Sequence, residues 1–345
     1  MLFKITPRSI TVLCTYQCTA ACKQCCFESS PRLKGGLEGE VIRERLTEAK
    51  RAYPGLGLAV FSGGEAFLLK DELVKSVAHA AALGLKTRIV SNGSWAKRIE
   101  RAGTLCAELA KSGLGELNLS TGRDHQEFVP ESSIINAAEA AIASGIDALI
   151  TVETDTMQSN CYLSLRSSER IQELMKKPGF RLVNNYWMPF HADAPARKQE
   201  ADLQLIRKGC EQVFDNLVVT PHDNLSACCG LTLEHIAEMR LGRNDGSNMK
   251  ELFEAQADDF LKYWLRVDGP YAVIENVMGD AAPSYLDGVV HGCQACAILH
   301  KTPAIRSKLT EVYQSHIENV LTRFEIARAA ASKSVLNQKE IAHGA

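Results

Sequence analysis

The chain has 345 residues, 46% of them hydrophobic, with 12 cysteines and a formal net charge of −2. It is long enough for one large α/β domain or two smaller ones with a sizeable core. No stretch approaches the ~20 uninterrupted apolar residues of a membrane span, and the near-neutral balance supplies no broad basic field, so neither a membrane nor a nucleic acid is expected as a partner.

In chain order, residues 9–14 form a short β-branched apolar run that reads as a strand. The loop Cys18-Thr-Ala-Ala-Cys22-Lys-Gln-Cys25 comes next, and with Cys14 and Cys26 it puts five cysteines within thirteen residues. Residues 37–52 carry Val41, Ile42 and Leu46 among charges and predict an amphipathic helix ending before Pro54-Gly55. A strand over 56–61 then runs into Ser62-Gly63-Gly64-Glu65, where glycines let the backbone approach a ligand closely. A helix over 70–83 stops at Gly84, and the strand 86–90 ends in Ser91-Asn92-Gly93. The alternation continues with helix 96–111, strand 116–119, helix 132–143, strand 148–152, helix 168–176 and strand 180–186. Strands alternating with helices at this interval imply parallel strands joined by right-handed crossovers. Six such units predict an α/β fold, a partial (β/α)6 barrel rather than the full eight-unit one.

In parallel barrels the active face lies at the C-terminal strand ends. Glu65, Ser91, Asn92, Ser120, Asp124, His125, Glu153, Asn184 and Asn185 collect there. Each also has a plainer reading as a cap or turn residue, and a lone His is more often structural than catalytic.

The breaker-rich stretch 191–195 reads as a linker, dividing the chain into a barrel (1–195) and a smaller C-terminal α+β module (196–345). In the module, Cys210 precedes a strand (217–220), a turn (221–224) and the run Leu225-Ser-Ala-Cys228-Cys229-Gly230. Strand alternation turns Cys228 and Cys229 to opposite faces, so only one of them is expected to join Cys210. A helix is predicted over 249–265, then a turn carrying Cys293-Gln-Ala-Cys296, a packing helix over 303–329 and a fraying polar tail after 331. Clustered cysteines in a reducing compartment argue for metal ligation, by iron–sulfur clusters or zinc. A disulfide knot is the other reading, but the first ten residues lack the basic start and apolar core of a secretion signal. Cys106 and Cys161 read as packing residues.

The CxxxCxxC loop after the first strand, with Gly-Gly-Glu ending the second, resembles the radical S-adenosylmethionine (SAM) enzymes. Resemblance implies that Cys18, Cys22 and Cys25 hold a [4Fe-4S] cluster and leave one iron open to SAM. It implies too that Gly63, Gly64 and Glu65 meet the methionine end of SAM, and that Ser91, Asn92, Ser120 and Glu153 meet its ribose and carboxylate. The run Leu119 to Pro130 looks like the family's fourth-strand exit, which would aim Asp124 and His125 at the substrate. One departure is Gln24, where the family usually has an aromatic residue, with Phe27 displaced beyond the extra Cys26. The module resembles the twitch or SPASM extension, with Cys210, Cys228, Cys293 and Cys296 around an auxiliary [4Fe-4S] cluster. The implied activity is that of an oxidoreductase that cleaves SAM reductively to a 5′-deoxyadenosyl radical and takes a hydrogen from a ribosomally made peptide, which is crosslinked or oxidised. Two-electron dehydrogenation of a small-molecule carbinol, such as a sugar or aminocyclitol, is the second reading, and a zinc-binding interaction protein the third. A flavodoxin or ferredoxin would be the reducing partner, in the cytoplasm.

Overall fold

The computed structural model describes residues 3–154, 159–186, 188 and 202–343. Strand β1 (Ser9–Leu13) leads to helix α1 (Gly39–Ala52), β2 (Leu58–Ser62), α2 (Asp71–Ala82), β3 (Lys86–Ser91), α3 (Ile99–Lys111) and β4 (Glu116–Gly122). After the single turn α4 (Arg123–Gln126) come α5 (Glu131–Ala143), β5 (Asp147–Thr154), two short helices (Asn160–Ser167 and Glu169–Met175) and β6 (Phe180–Tyr186). Strands β7 (Asn216–Val219), β8 (Asn224–Ser226) and β9 (Arg240–Arg243) belong to the later part of the chain. All nine form one sheet in the order β6-β5-β4-β3-β2-β1-β7-β8-β9. From β6 to β7 the neighbours are parallel, and the last two pairings are antiparallel. The fold is α/β, a parallel sheet curved into a barrel that does not close.

Alternation along each strand builds the two layers. Ile10, Val12, Ala59, Phe61, Ile89, Leu117, Leu119 and Ile150 are fully buried. The intervening residues Thr11, Val60, Val90, Asn118, Ser120 and Thr151 instead line a cavity on the concave side. Adjacent strand residues point to opposite faces, so one face packs and the other stays open to a ligand. Each fully buried aliphatic side chain contributes roughly 1.5–3 kcal/mol relative to exposure. Helix α1 buries Ile42, Leu46 and Ala49, at helical spacing, and carries Glu40 in its first turn and Lys50 and Arg51 in its last, complementing the helix dipole.

The linker expected at 191–195, with the boundary at 195, lies outside the described residues. The later part of the chain extends the barrel's own sheet, because β7 pairs with β1 from Ser9↔Asn216 to Val12↔Val219. The junction is also electrostatic. Arg45 of α1 donates to both carboxylate oxygens of Asp223 at the β7–β8 turn (2.8 and 2.7 Å), and it reaches Glu48 at 3.4 Å. Glu48 in turn accepts from Asn244 Nδ2 (3.2 Å) and Met249 N (3.3 Å).

Later elements differ from the sequence expectation. Residues 249–265 are not one helix but the whole of Met249–Ala255 and the start of Phe260–Met278, because Asp259 is extended and its side chain caps Leu261 N at 3.0 Å. The packing helix is likewise two, Pro303–Val312 and Ile317–His343, and the backbone expected to fray after 331 is helical to His343. Cys293 and Cys296 lie in the helix Gly292–Lys301 rather than on a free turn. None of the described helices is long and apolar enough to cross a membrane.

Replacing Arg45 by Met should lower unfolding free energy by about 2 kcal/mol, below the ~3–5 kcal/mol of a fully buried pair because Asp223 is partly exposed. Urea denaturation of the two proteins measures this, and an unchanged midpoint would mean that the junction is held by the sheet alone.

Candidate active site

The cysteine loop is docked on the Ser62–Glu65 turn by backbone alone. Cys14 N donates to Ser62 O (2.8 Å), Gly64 N to Thr15 O (2.6 Å) and Glu65 N to Gln17 O (3.0 Å). A Cβ on Gly63 would lie 2.5 Å from Thr15 O, and one on Gly64 would overlap the carbonyl of Gln17. Gly63 also has φ of +117°, a conformation that favours glycine. The two glycines are thus required by the loop's close approach before any ligand is considered.

Glu65 anchors the same corner. Its carboxylate accepts from Phe67 N (3.1 Å), Ser91 Oγ (3.0 and 3.1 Å) and Asn92 N (2.9 Å), tying the end of β2 to the end of β3. Burial pushes its carboxyl pKa up, against the pull of those donors. Gly63 and Gly64 line the concave cavity, whereas Glu65 does not. Asn92 reaches Cys18 Sγ (3.4 Å) and Thr19 Oγ1 (3.0 Å) through Nδ2. Ser91 additionally accepts from Trp95 Nε1 (3.0 Å).

The cavity has a volume of 470 Å³, and Cys18, Cys22, Cys25, Ser91, Asn92, Ser120 and His125 all border it. Glu153 and Asp124 do not; both are buried behind it. Glu153 accepts from the backbone N of Asp124 (2.5 Å) and lies 2.9 Å from His125 Nδ1. Since an ionised carboxylate only accepts, the proton on that nitrogen is assigned to His125, with Glu153 orienting the ring. The Asp124 carboxylate sits 3.6 Å from Arg123 Nε. Of the residues expected to meet cofactor or substrate, Glu65, Glu153 and Asp124 therefore support the wall, and the others form it.

Several wall residues escaped the motif reading. Thr11, Asn118, Thr151, Gln212, Asn216 and Cys229 also border the cavity, as does Asn185, which the strand-end reading had named. Period-two extension from Ser120 could have found Asn118, but Gln212 and Asn216 come from the far side of the sheet and carried no signal.

A second cavity of 310 Å³ is bordered by all four of Cys210, Cys228, Cys293 and Cys296. Asn185 and Gln212 border both cavities, so the two adjoin. Gly230 leaves room between two of the thiols, since a Cβ there would stand 3.2 Å from Cys293 Sγ and 3.7 Å from Cys228 Sγ. Cys229 borders the first cavity instead, although both cysteines lie beyond the end of β8 at Ser226, where strand alternation no longer applies.

Burial pushes the Cys18 thiol up to about 11 and the Cys293 thiol up to about 12, and neighbouring thiols add to both shifts (Cys25 at the first, Cys210 at the second). Cys22 and Cys228 are raised by burial first and then by neighbouring negative charge. Thiols that cannot ionise together without a cation form a donor set suited to iron or another thiophilic metal. Among the described residues, no three His, Cys, Asp or Glu side chains gather tightly enough for a single ion. A four-iron cube ligated at separate corners takes thiolates farther apart than a single ion does.

No family model matches the chain. Over 132 residues it is 28% identical to YydG of Bacillus subtilis, a protein named for peptide biosynthesis, covering 38% of this chain and 41% of that one. Over 129 residues it is 33% identical to the PqqA peptide cyclase of Xanthomonas campestris pv. campestris, covering 34% of this chain and 31% of the cyclase. The matches thus span less than half of these relatives. The solved structure of anSMEcpe with bound AdoMet and the Cp18Cys peptide aligns over 92% of this chain and 99% of its own, with a TM-score of 0.56 and 14% identity, a likeness of fold. An open parallel barrel with three thiols at the mouth of its first strand defines a class of enzyme scaffold. In its fold and its thiol loop the chain is similar to the radical SAM enzymes.

Gly64→Ala should loosen the loop whatever is bound. Thermal unfolding of the metal-free protein is expected to fall by several degrees, and an unchanged midpoint would show that the loop yields without cost.

Proposed function

We propose that this protein is a radical SAM enzyme that modifies a ribosomally made peptide. The observation that carries the reading is the convergence of Cys18, Cys22 and Cys25 with the bare backbone of Gly63 and Gly64 on one 470 Å³ cavity at the strand C-terminal ends. These three thiols would hold a [4Fe-4S] cluster and leave one iron for SAM, with Gly63, Gly64, Ser91, Asn92 and Ser120 along the SAM site. When bound, cluster and SAM together supply the electron and the 5′-deoxyadenosyl radical that removes a substrate hydrogen. The protein's own part is to position and to exclude water. Asn92 holds Cys18 through its amide, and Glu153 holds the ring of His125 at the cavity wall.

Residues 1–195 would form the SAM-cleaving part and 196–345 the auxiliary part, with Cys210, Cys228, Cys293 and Cys296 closing the shell of a second [4Fe-4S] cluster. A fully ligated cluster suits electron transfer, and a flavodoxin or ferredoxin would deliver the electrons. The peptide substrate is supported by the names of both curated relatives.

Replacing Cys18, Cys22 and Cys25 together by Ala should abolish 5′-deoxyadenosine formation from SAM under dithionite, while roughly four irons per chain remain in the second site. Continued SAM cleavage by the triple variant would refute the first assignment, and zinc or no metal in it would refute the second.

A further inference from the structure

The concave cavity has a floor as well as a mouth. Alternation along β3 puts Arg88, Val90 and Asn92 on one face, and all three border the cavity. Asn92 stands at the thiol end, where its amide meets Cys18. Arg88 lies four residues nearer the start of the chain, about 13 Å away along a strand that rises roughly 3.3 Å per residue. Of the described residues that line the cavity, Arg88 is the one with a permanent charge, and none is an aspartate or a glutamate. Asn118 and Thr151, bonded to each other at 3.0 Å, add polar atoms to the same inner wall.

The charge of Arg88 is only partly neutralised. Glu116 lies directly opposite it across the β3–β4 register. That carboxylate is shared, because it meets Arg88 Nε at 2.7 Å and Nη2 at 3.2 Å while it also accepts from Arg181 Nη2 at 2.9 Å. Two guanidinium groups and one carboxylate leave the cluster a single positive charge in excess. The contact at Nε is close but off the hydrogen-bond line, so a buried N–H of Arg88 has no acceptor among the described residues. Glu116 does not reach the cavity, and Arg181 is mostly exposed to solvent. Asp147, the next carboxylate in register, is exposed and has its Oδ1 beside Gly179. An ion-pair cluster that served the fold alone would balance its charge, whereas this one presents a cation to a cavity that is otherwise without fixed charge.

We propose that Arg88 is a substrate-binding residue that seats a carboxylate at the floor of the cavity, so that the substrate is a peptide offering an acidic side chain or its C-terminal carboxylate to the barrel. The inference rests on the radical SAM reading above and deepens it by naming a chemical feature of the substrate. A guanidinium takes a carboxylate through two parallel hydrogen bonds, which fixes orientation as well as affinity. Held at the floor, the carboxylate would leave the carbon atoms beside it directed at the mouth, where Ser91, Asn92 and Ser120 stand.

Three probes separate the two sources of the carboxylate. N-acetylglutamate α-amide carries it on the side chain, N-acetylglutamine carries it at the C-terminus, and N-acetylglutamine amide lacks it. Each is titrated by calorimetry into the reconstituted full-length protein, saturated with SAM and without reductant, so that the open iron is occupied and no turnover occurs. At least one acidic probe should bind about tenfold tighter than the neutral amide, the gain expected of a charge-assisted contact. The acidic probe that binds identifies the source, and binding of both would mean that the charge itself is read. Arg88→Met should erase the preference, and Arg88→Lys should keep part of it. Glu116→Gln should tighten the acidic probe several-fold, since it removes the carboxylate that competes for Arg88; a merely structural cluster would gain nothing. Iron content and SAM affinity equal to wild type show that a variant is folded, and if Arg88→Met fails that check, Glu116→Gln decides. Equal binding of the three probes by wild type, an undiminished preference in Arg88→Met, or unchanged or weaker binding of the acidic probe by Glu116→Gln would each overturn the proposal. SAM cleavage under dithionite is read separately, and its absence in the wild type would instead overturn the functional reading, and this inference with it.

Discussion

Everything at the mouth of the barrel depends on two carbonyl groups meeting two glycines. The cysteine loop lies against the Ser62–Glu65 turn at backbone hydrogen-bond distance, and Thr15 and Gln17 can approach only because Gly63 and Gly64 present no Cβ. That contact sets the height of the loop over the cavity, and so the direction in which Cys18, Cys22 and Cys25 point. Glu65 then carries the constraint sideways. Its buried carboxylate gathers Ser91 and Asn92, and Asn92 reaches back to Cys18, closing a circuit from loop to turn to β3 and to the loop again.

A similar economy operates on the other side of the cavity. Glu153 is engaged by the backbone N of Asp124 and by His125 Nδ1, and Gly122 beside it leaves room for its side chain. Both acidic residues that look exposed to chemistry in the sequence therefore act through a neighbour, Glu65 through Asn92 and Glu153 through His125. Burying a carboxylate is tolerable only when donors surround it, and donors arranged to satisfy it leave it less free to serve a ligand.

The second half of the chain is tied to the first by sheet and charge together. Pairing of β7 with β1 continues the parallel register, and Arg45 clasps the turn after β7. This brings Gln212, Asn216 and Cys229 onto the wall of a cavity otherwise built from the first six strands, and sets the two thiol groups in adjoining cavities. Continuity of the sheet between the two halves is what lets one cavity draw on both.

Much of this was legible in the chain itself. The six alternating units come from apolar strands and amphipathic helices of ordinary length, whose local pattern is strong enough to survive any tertiary context. Residues 249–265 and 303–329 were each read as one helix because Asp259 and the turn at Tyr313–His316 interrupt them without a glycine or proline to announce it. The sequence by itself determined the thiol-rich loop and its place after the first strand, since spacing is a local property. Only the tertiary structure decided that Glu65, Glu153 and Asp124 stand behind the cavity wall, and that Cys229 shares its space with residues of β1 and β4. Those outcomes turn on hydrogen bonds and strand pairings between residues far apart in the chain, such as Thr11 with Asn216, and no local pattern encodes them.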